Sequence, residues 1–325
     1  MNRKIIVMKN MRSVIYTVAA LMLSVISCQK VSMHDGEPVG PTEQVTISLA
    51  TPEPVTKLIA DGEKAKDVYF TAFVDGRVVP SLCQKTQLGD DGQVVLDLKL
   101  VRNVKYRFVF WAQTPVADGA KPYYNLTTFY SDSKVKVDYA VKANDDQRDA
   151  FSAAEDVYVD GPKDVTIRLR RPFSQINFGS SDYDLLKQMN LHVGMLSEMT
   201  VYGLPDTITL LDGSVSSSST AGIPFDALFA AAPIPTGKDE YMTVQGTTYG
   251  YLGMNYVVAS EIGDVVSVKG RFLSGDSVWE TAVIPNVPVR RNYKTNILGE
   301  LFVEHGQIQI IIEPGFNKPD EVEEI

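Results

Sequence analysis

Val104-Lys105-Tyr106-Arg107-Phe108-Val109-Phe110-Trp111 is the stretch whose reading decides the fold class. It opens by alternating apolar with charged side chains, the period of a strand with one face in a core, and then turns apolar throughout. A strand that starts one-sided and ends buried on both faces belongs near the centre of stacked sheets. The same period recurs on either side: Val45, Ile47 and Leu49 alternate with Thr46 and Ser48, and Val94, Leu96, Leu98 and Leu100 with Val95, Asp97 and Lys99. Val265 to Val268, Val278 to Ile284 and Ile308 to Ile312 continue the series. Asp75-Gly76, Asp90-Asp91-Gly92, Asp160-Gly161 and Asp212-Gly213 supply turns between such runs. Only Asn144 to Ala154 and Tyr183 to Asn190 have helical character, so the expected architecture is mainly β.

A further strand pattern, Val165-Thr166-Ile167-Arg168-Leu169-Arg170, runs into Arg171-Pro172-Phe173. Proline cannot donate to a ladder, so an interior strand breaks there, and a domain boundary is expected between residues 171 and 172. Upstream, Arg3, Lys4, Lys9 and Arg12 precede an uncharged run from Ser13 to Ser27, the layout of a secretory signal over residues 1–27. Val25-Ile26-Ser27-Cys28 resembles a bacterial lipobox, which would make Cys28 the lipidated first residue of the mature chain. Gly36, Pro38, Gly40 and Pro41 mark residues 28–44 as a flexible tether. The expected domains are then 45–171 and 172–325.

The chain has 325 residues, 44% hydrophobic and 22% charged, which is globular composition. Its formal charge of −9 and the lack of a basic cluster interleaved with aromatics argue against nucleic acid. With Cys28 committed to lipid, Cys83 has no partner for a disulfide and reads as a small core residue. The three histidines, His34, His192 and His305, lie in no metal-ligand or protease pattern, and no phosphate loop or nucleophile elbow is present. Asp90-Asp91 and Asp145-Asp146 sit beside turn or polar residues, as solvated loops do. No enzyme, cofactor or metal is therefore expected. Tyr123-Tyr124, Phe129 and Tyr130 form an aromatic cluster that would stack on sugars if exposed, though core packing explains it as well.

Three segments together resemble the fimbrillin superfamily of Bacteroides-type surface lipoproteins, the type V pilins and their Mfa-like relatives. They are Thr56-Lys57-Leu58-Ile59-Ala60-Asp61-Gly62 with Ala65-Lys66-Asp67-Val68-Tyr69-Phe70, then Arg171-Pro172-Phe173-Ser174-Gln175-Ile176-Asn177, and Val287-Pro288-Val289-Arg290-Arg291-Asn292-Tyr293-Lys294-Thr295-Asn296-Ile297-Leu298-Gly299. The third is the most specific, and with the lipobox the resemblance spans nearly the whole chain.

The resemblance implies two transthyretin-like β-sandwich domains in tandem and assembly by donor-strand exchange with other fimbrial subunits. In polymerising relatives an Arg- or Lys-specific protease removes the first strand, which here is the strand carrying Val45, Ile47 and Leu49. The matching cleavage position is Lys57, where relatives commonly carry arginine. Cutting there would release the lipid along with the strand. The short region after Ile312 points to a tip, accessory or anchor subunit rather than a stalk. The chain is thus expected to be an outer-membrane fimbrial lipoprotein, held by lipid on Cys28 and contributing to adhesion to host or bacterial surface glycans or proteins. The competing expectation is a surface glycan-binding lipoprotein of a polysaccharide-uptake system, with Tyr123, Tyr124 and Tyr130 as its platform. Asp206-Thr207-Ile208 and Asp276-Ser277-Val278 resemble short O-glycosylation sequons, with Thr207 and Ser277 as acceptors.

Overall fold

A computed structural model describes residues 32–35, 37–51, 64–218 and 224–314. A two-residue pair, β1 (Met33–His34) and β2 (Glu37–Pro38), leads into β3 (Thr42–Ala50). There follow β4 (Asp67–Val74), β5 (Arg77–Val78), β6 (Gln84–Gln87), β7 (Gln93–Val101) and β8 (Val104–Gln113). The first half closes with β9 (Tyr124–Asn125), α1 (Phe129–Asp132), β10 (Lys134–Val137), β11 (Ala150–Val159) and β12 (Lys163–Arg168).

These strands make a sandwich. One sheet has the order β12-β3-β7, the other β11-β8-β4-β5 with β6 also paired to β4. The period-two pattern explains the contact between them: Val45, Ile47 and Leu49 of β3 face Phe70, Phe108 and Phe110 in one cluster, while Thr46 and Ser48 point outward. The Phe70 and Phe110 rings stack at 4.8 Å. β8 serves two cores. Val104, Tyr106, Phe108, Phe110 and Ala112 fill the sandwich, whereas Val109 and Trp111 point the other way into a second cluster shared with the rest of the chain. The doubly apolar end of the β8 sequence is thereby accounted for. Asp75-Gly76 turns β4 into β5 with both residues at positive φ, 50° and 74°, the backbone a two-residue hairpin requires.

The second half runs through β13 (Phe173–Ser180), α2 (Tyr183–Gln188), β14 (Leu196–Leu204), β15 (Thr207–Thr209), β16 (Val215–Ser216), β17 (Phe225–Pro233) and β18 (Tyr241–Val244). It ends with β19 (Thr247–Val258), β20 (Asp264–Ser274), β21 (Ser277–Glu280), β22 (Ile284–Val289), β23 (Lys294–Gly299) and β24 (Ile308–Glu313). Sheets β18-β19-β13-β23-β24 and β17-β14-β20-β21, the latter with β22 on β20, enclose Ile176, Phe178, Val201, Phe229, Phe272 and Ile297. A small sheet, β16-β15-β10-β9, takes strands from both sides of Pro172. The strand break is where proline places it, since β12 stops at Arg168 and β13 starts at Phe173.

Tyr183–Gln188 is helical as expected, but Asn144 to Ala154 is not. There, Asp145 caps one 3-10 turn at Asp146–Arg148, and β11 begins at Ala150 and pairs with β8 along its whole length. The local preference of Ala153 and Ala154 for helix is a fraction of a kcal/mol per residue and yields to ten paired positions in a buried sheet. Cys83 is half-buried rather than core, with its Sγ 3.4 Å from Thr71 Oγ1.

Candidate functional site

The strand expected to be exchangeable occupies the middle of a sheet. β3 pairs antiparallel with β7, Val45 opposite Leu98 and Ile47 opposite Leu96, and parallel with β12, Val45 opposite Lys163 and Ile47 opposite Val165. Val45, Ile47 and Leu49 are 0, 0 and 1% exposed. Burying side chains of this kind is worth about 1.5–3 kcal/mol each. Taking β3 away would uncover Leu96, Leu98 and Ile167 and leave both β7 and β12 with an unpaired edge.

The chain path makes such removal simple in topological terms. β3 joins the remainder of its sandwich through residues 51–66 alone, so one cut there leaves the strand held only by hydrogen bonds and packing. Lys57 falls in that connection, and both Lys57 and Cys28 lie outside the described residues.

Segments two and three of the family resemblance meet in the second sandwich. β13 and β23 run parallel with Gln175 opposite Lys294 and Asn177 opposite Asn296. Asn177 Nδ2 donates to Asn296 Oδ1 at 2.8 Å, Tyr251 donates to Asn177 Oδ1 at 3.0 Å, and Asn296 Nδ2 donates to Glu313 at 2.9 Å. At the near end, Arg171 forms a two-pronged pair with Asp149, Nε and Nη2 to the two carboxylate oxygens at 2.7 and 2.6 Å. Burial works against the Arg171 charge, and the facing Asp149 more than offsets it, so its pKa is raised. Lys294 is pushed down to about 8, by burial first and by the nearby Arg171 second. Among the described residues this polar seam has no counterpart around β3, and its signal in the sequence was polar residues at inward positions of otherwise apolar strands.

The three tyrosines do not form one exposed face. Tyr124 is 3% exposed, its ring 5.0 Å from Trp111 and stacked at 5.7 Å on Phe173, while its hydroxyl donates to the Arg148 carbonyl. Core packing thus removes Tyr124 from any open platform. Tyr123 and Tyr130 are half-buried against the same cluster. Burial, then its hydrogen bond to Asp145, pushes the Tyr123 hydroxyl up to about 12. Tyr124 instead forms part of the wall of a cleft of about 950 Å³, together with Tyr139, Val137, Phe225 and Leu228, between the β9–β10 side of the small sheet and β17. Phe225 and Leu228 are exposed there.

Thr207 lies half-buried in β15 and donates to Asp206 at 3.0 Å, and Ser277 opens β21 half-buried. His34 and His305 are exposed, and His192 packs edge-on to Tyr183 at 6.2 Å.

Compared with known proteins, residues 67–325 match the model of a family of unknown function, DUF6562. The matched region begins at the first residue of β4, so β3 lies outside it. No curated protein matches the chain. Similar solved structures include a candidate cell adhesion protein of Bacteroides ovatus, at 10% identity and TM-score 0.49 over 84% of this chain and 98% of that one. A candidate polysaccharide-binding protein of Bacteroides thetaiotaomicron is similar at 13% identity and TM-score 0.49, over 83% of this chain and 96% of that one. The tip fimbrial protein Mfa3 of Porphyromonas gingivalis, with a C-terminal truncation, is similar at 10% identity and TM-score 0.47, over 84% and 99%.

Proposed function

The chain belongs to the family of unknown function DUF6562, and from that premise we propose that it is a fimbrial subunit. In this reading it is exported as a lipoprotein on Cys28, assembles by donor-strand exchange and contributes to adhesion. The observation that carries the reading is β3: a strand with three fully buried aliphatic side chains, central in its sheet, tied to its sandwich by one connection. An incoming strand of the same period would restore the hydrogen bonds to β7 and β12 and refill the apolar positions. Cleavage after Lys57 would both open the groove and release the lipid, so an uncut molecule would be an anchor and a cut one a tip or accessory subunit. The two domains, 45–171 and 172–325, would then divide the labour, the first receiving a strand and the second providing a stable body.

The test has two parts. N-terminal analysis of the protein taken from cells should find either lipidated Cys28 or Leu58. Treatment of the purified protein with a trypsin-like protease should remove the segment before Leu58 and allow association with other subunits; a chain that never loses that segment and never associates removes the polymerisation reading.

The cleft under Phe225 favours a second reading, binding of surface glycans, because an exposed ring beside polar groups suits sugar faces. The hydroxyls of Tyr124 and Tyr139 are engaged in backbone hydrogen bonds, which leaves Phe225 as the stacking ring. Glycan-array binding that disappears in Phe225→Ala would support this reading over the first.

A further inference from the structure

Arg148 ends the 3-10 turn at Asp146–Arg148 and is only 1% exposed. A guanidinium withdrawn from water to that degree is ordinarily paired with a carboxylate. Arg148 is not: its Nε is buried with no hydrogen-bond partner, and the group makes no ion pair among the described residues. Its charged end instead packs on a ring, with Cζ 5.4 Å from the centre of Phe229. The carboxylates nearby are committed elsewhere. Asp149 holds Arg171, Asp146 lies 2.8 Å from Lys64, and Asp138 pairs with Lys121. Asp206 lies 3.5 Å from Lys136 and accepts from Ser218, while Asp145 accepts from the Tyr123 hydroxyl and the Gln147 N–H.

This unpaired cation stands directly behind the wall of the cleft that Tyr124, Tyr139 and Phe225 line. The Tyr124 hydroxyl donates to the Arg148 carbonyl, and the Tyr139 ring lies edge-on to Phe229 at 5.9 Å. The lining groups register its charge. Burial pushes the Tyr124 and Tyr139 hydroxyls up and Arg148 opposes it in both; at Asp138 burial also works upward, and Arg148 adds to the opposing pull of Lys121. The rim pairs, Lys121 with Asp138 and Lys136 with Asp206, cancel within themselves. Asp226 is exposed on the face of β17 opposite to Phe229, so the strand separates its charge from Arg148. A positive charge without a counter-ion, set in surroundings of low dielectric, is weakly screened and acts across the wall on whatever occupies the cleft.

We propose that the cleft takes carboxylate-bearing sugars, the hexuronic acid residues of a surface polysaccharide, with Phe225 stacked on a sugar face and Arg148 supplying the counter-charge from behind the wall. The proposal rests on the glycan reading of this cleft and adds to it the acidic class of ligand. A cleft of about 950 Å³ is larger than a simple inorganic anion requires, and the exposed ring suits a sugar rather than a bare ion.

The experiment uses the full mature chain and a galacturonate trimer, as the free acid and as its methyl ester, with affinities measured by isothermal titration calorimetry at neutral pH. The acid should bind about tenfold tighter than the ester, the scale of one weakly screened charge pair. Arg148→Met should erase that ratio, Arg148→Lys should keep it, and Phe225→Ala should weaken both ligands. Thermal melting identifies a folding defect in either Arg148 variant, and the acid-to-ester ratio of the wild-type chain then decides by itself. Equal wild-type affinity for acid and ester, or a ratio that persists in a folded Arg148→Met chain, would overturn the proposal and leave the glycan reading standing. If neither trimer binds, the proposal falls, and a glycan array on which nothing binds shows that the glycan reading falls with it.

Discussion

β3 and β13 hold equivalent places in their sandwiches and are held by different physics. Each is an interior strand with one antiparallel and one parallel neighbour: β7 and β12 for β3, β19 and β23 for β13. β3 alternates strictly, with apolar residues inward and Thr46 and Ser48 outward, and joins its sandwich at one end. β13 is buried along its entire length, joins at both ends, and carries Ser174, Gln175 and Asn177 into the interior. A groove that asks only for backbone pairing and alternate aliphatic side chains accepts many strands. One that asks for a carboxamide opposite Asn296 and a guanidinium opposite Asp149 accepts almost none. Interior position alone does not make a strand exchangeable; the generic character of its contacts does.

The largest expected effect is at the entry to the specific strand, two residues before β13 begins. Arg171→Ala leaves Asp149 buried without its partner and should lower unfolding free energy by about 3–5 kcal/mol, measured by urea denaturation. The buried pair is shielded from solvent, so the loss should be nearly the same in low and high salt. A cost below roughly 1 kcal/mol would contradict the view that this pair anchors β13.

In β3, Ile47→Ala should cost about 2–5 kcal/mol in the intact chain. The comparison is sharper after a cut within residues 51–66. The same substitution should then speed release of the β3 peptide by at least about tenfold, and Arg171→Ala should leave that release unchanged. Mass spectrometry of the retained peptide over time distinguishes the two. Equal effects would mean that β3 and β13 are not independently held.

Asn296→Ala removes the acceptor of the Asn177 amide and one donor to Glu313, and should cost about 1–3 kcal/mol. A replacement in β3 that keeps its alternation, such as Val45→Ile, should cost less than about 1.5 kcal/mol.

The smallest effect is a pH dependence confined to the second sandwich. The Lys294 pKa is about 8 in the folded chain against the ordinary 10.5, so between those values the unfolded chain binds the extra proton. Stability therefore rises with pH through that window, and at neutral pH the charged ammonium is a burden. The side chain as a whole is only half-buried, which limits the gain to roughly 1 kcal/mol between pH 8 and 10. Lys294→Met should flatten this part of the curve, and a slope of opposite sign in the wild-type chain relative to that variant would refute the assignment.

Much of the strand layout was legible residue by residue. Val45, Ile47 and Leu49 mark the buried face of β3, the doubly apolar end of β8 marks a strand buried on both faces, and Pro172 marks the break between β12 and β13. Asn144 to Ala154 was misread because pairing with β8 outweighs a weak local preference. For Tyr124 the sequence left both an exposed ring and a core ring open, because composition cannot tell a ring stacked on Phe173 from one facing water. The polar residues of the seam stand out in the sequence, but the pairing of Asn177 with Asn296 and the packing of Arg148 on Phe229 were not legible, since each joins residues more than 70 positions apart.

By itself the sequence determined which faces of which segments are apolar, where strands must stop, and which segments resemble a family, because period and turn chemistry are local properties of the chain. Only the tertiary structure decided that β3 lies between β7 and β12, that Arg171 meets Asp149, and that Arg148 is buried behind a cleft without a paired carboxylate. A strand's alternation states that it must bury one face but not against which partner, and that choice is made by packing the whole chain at once.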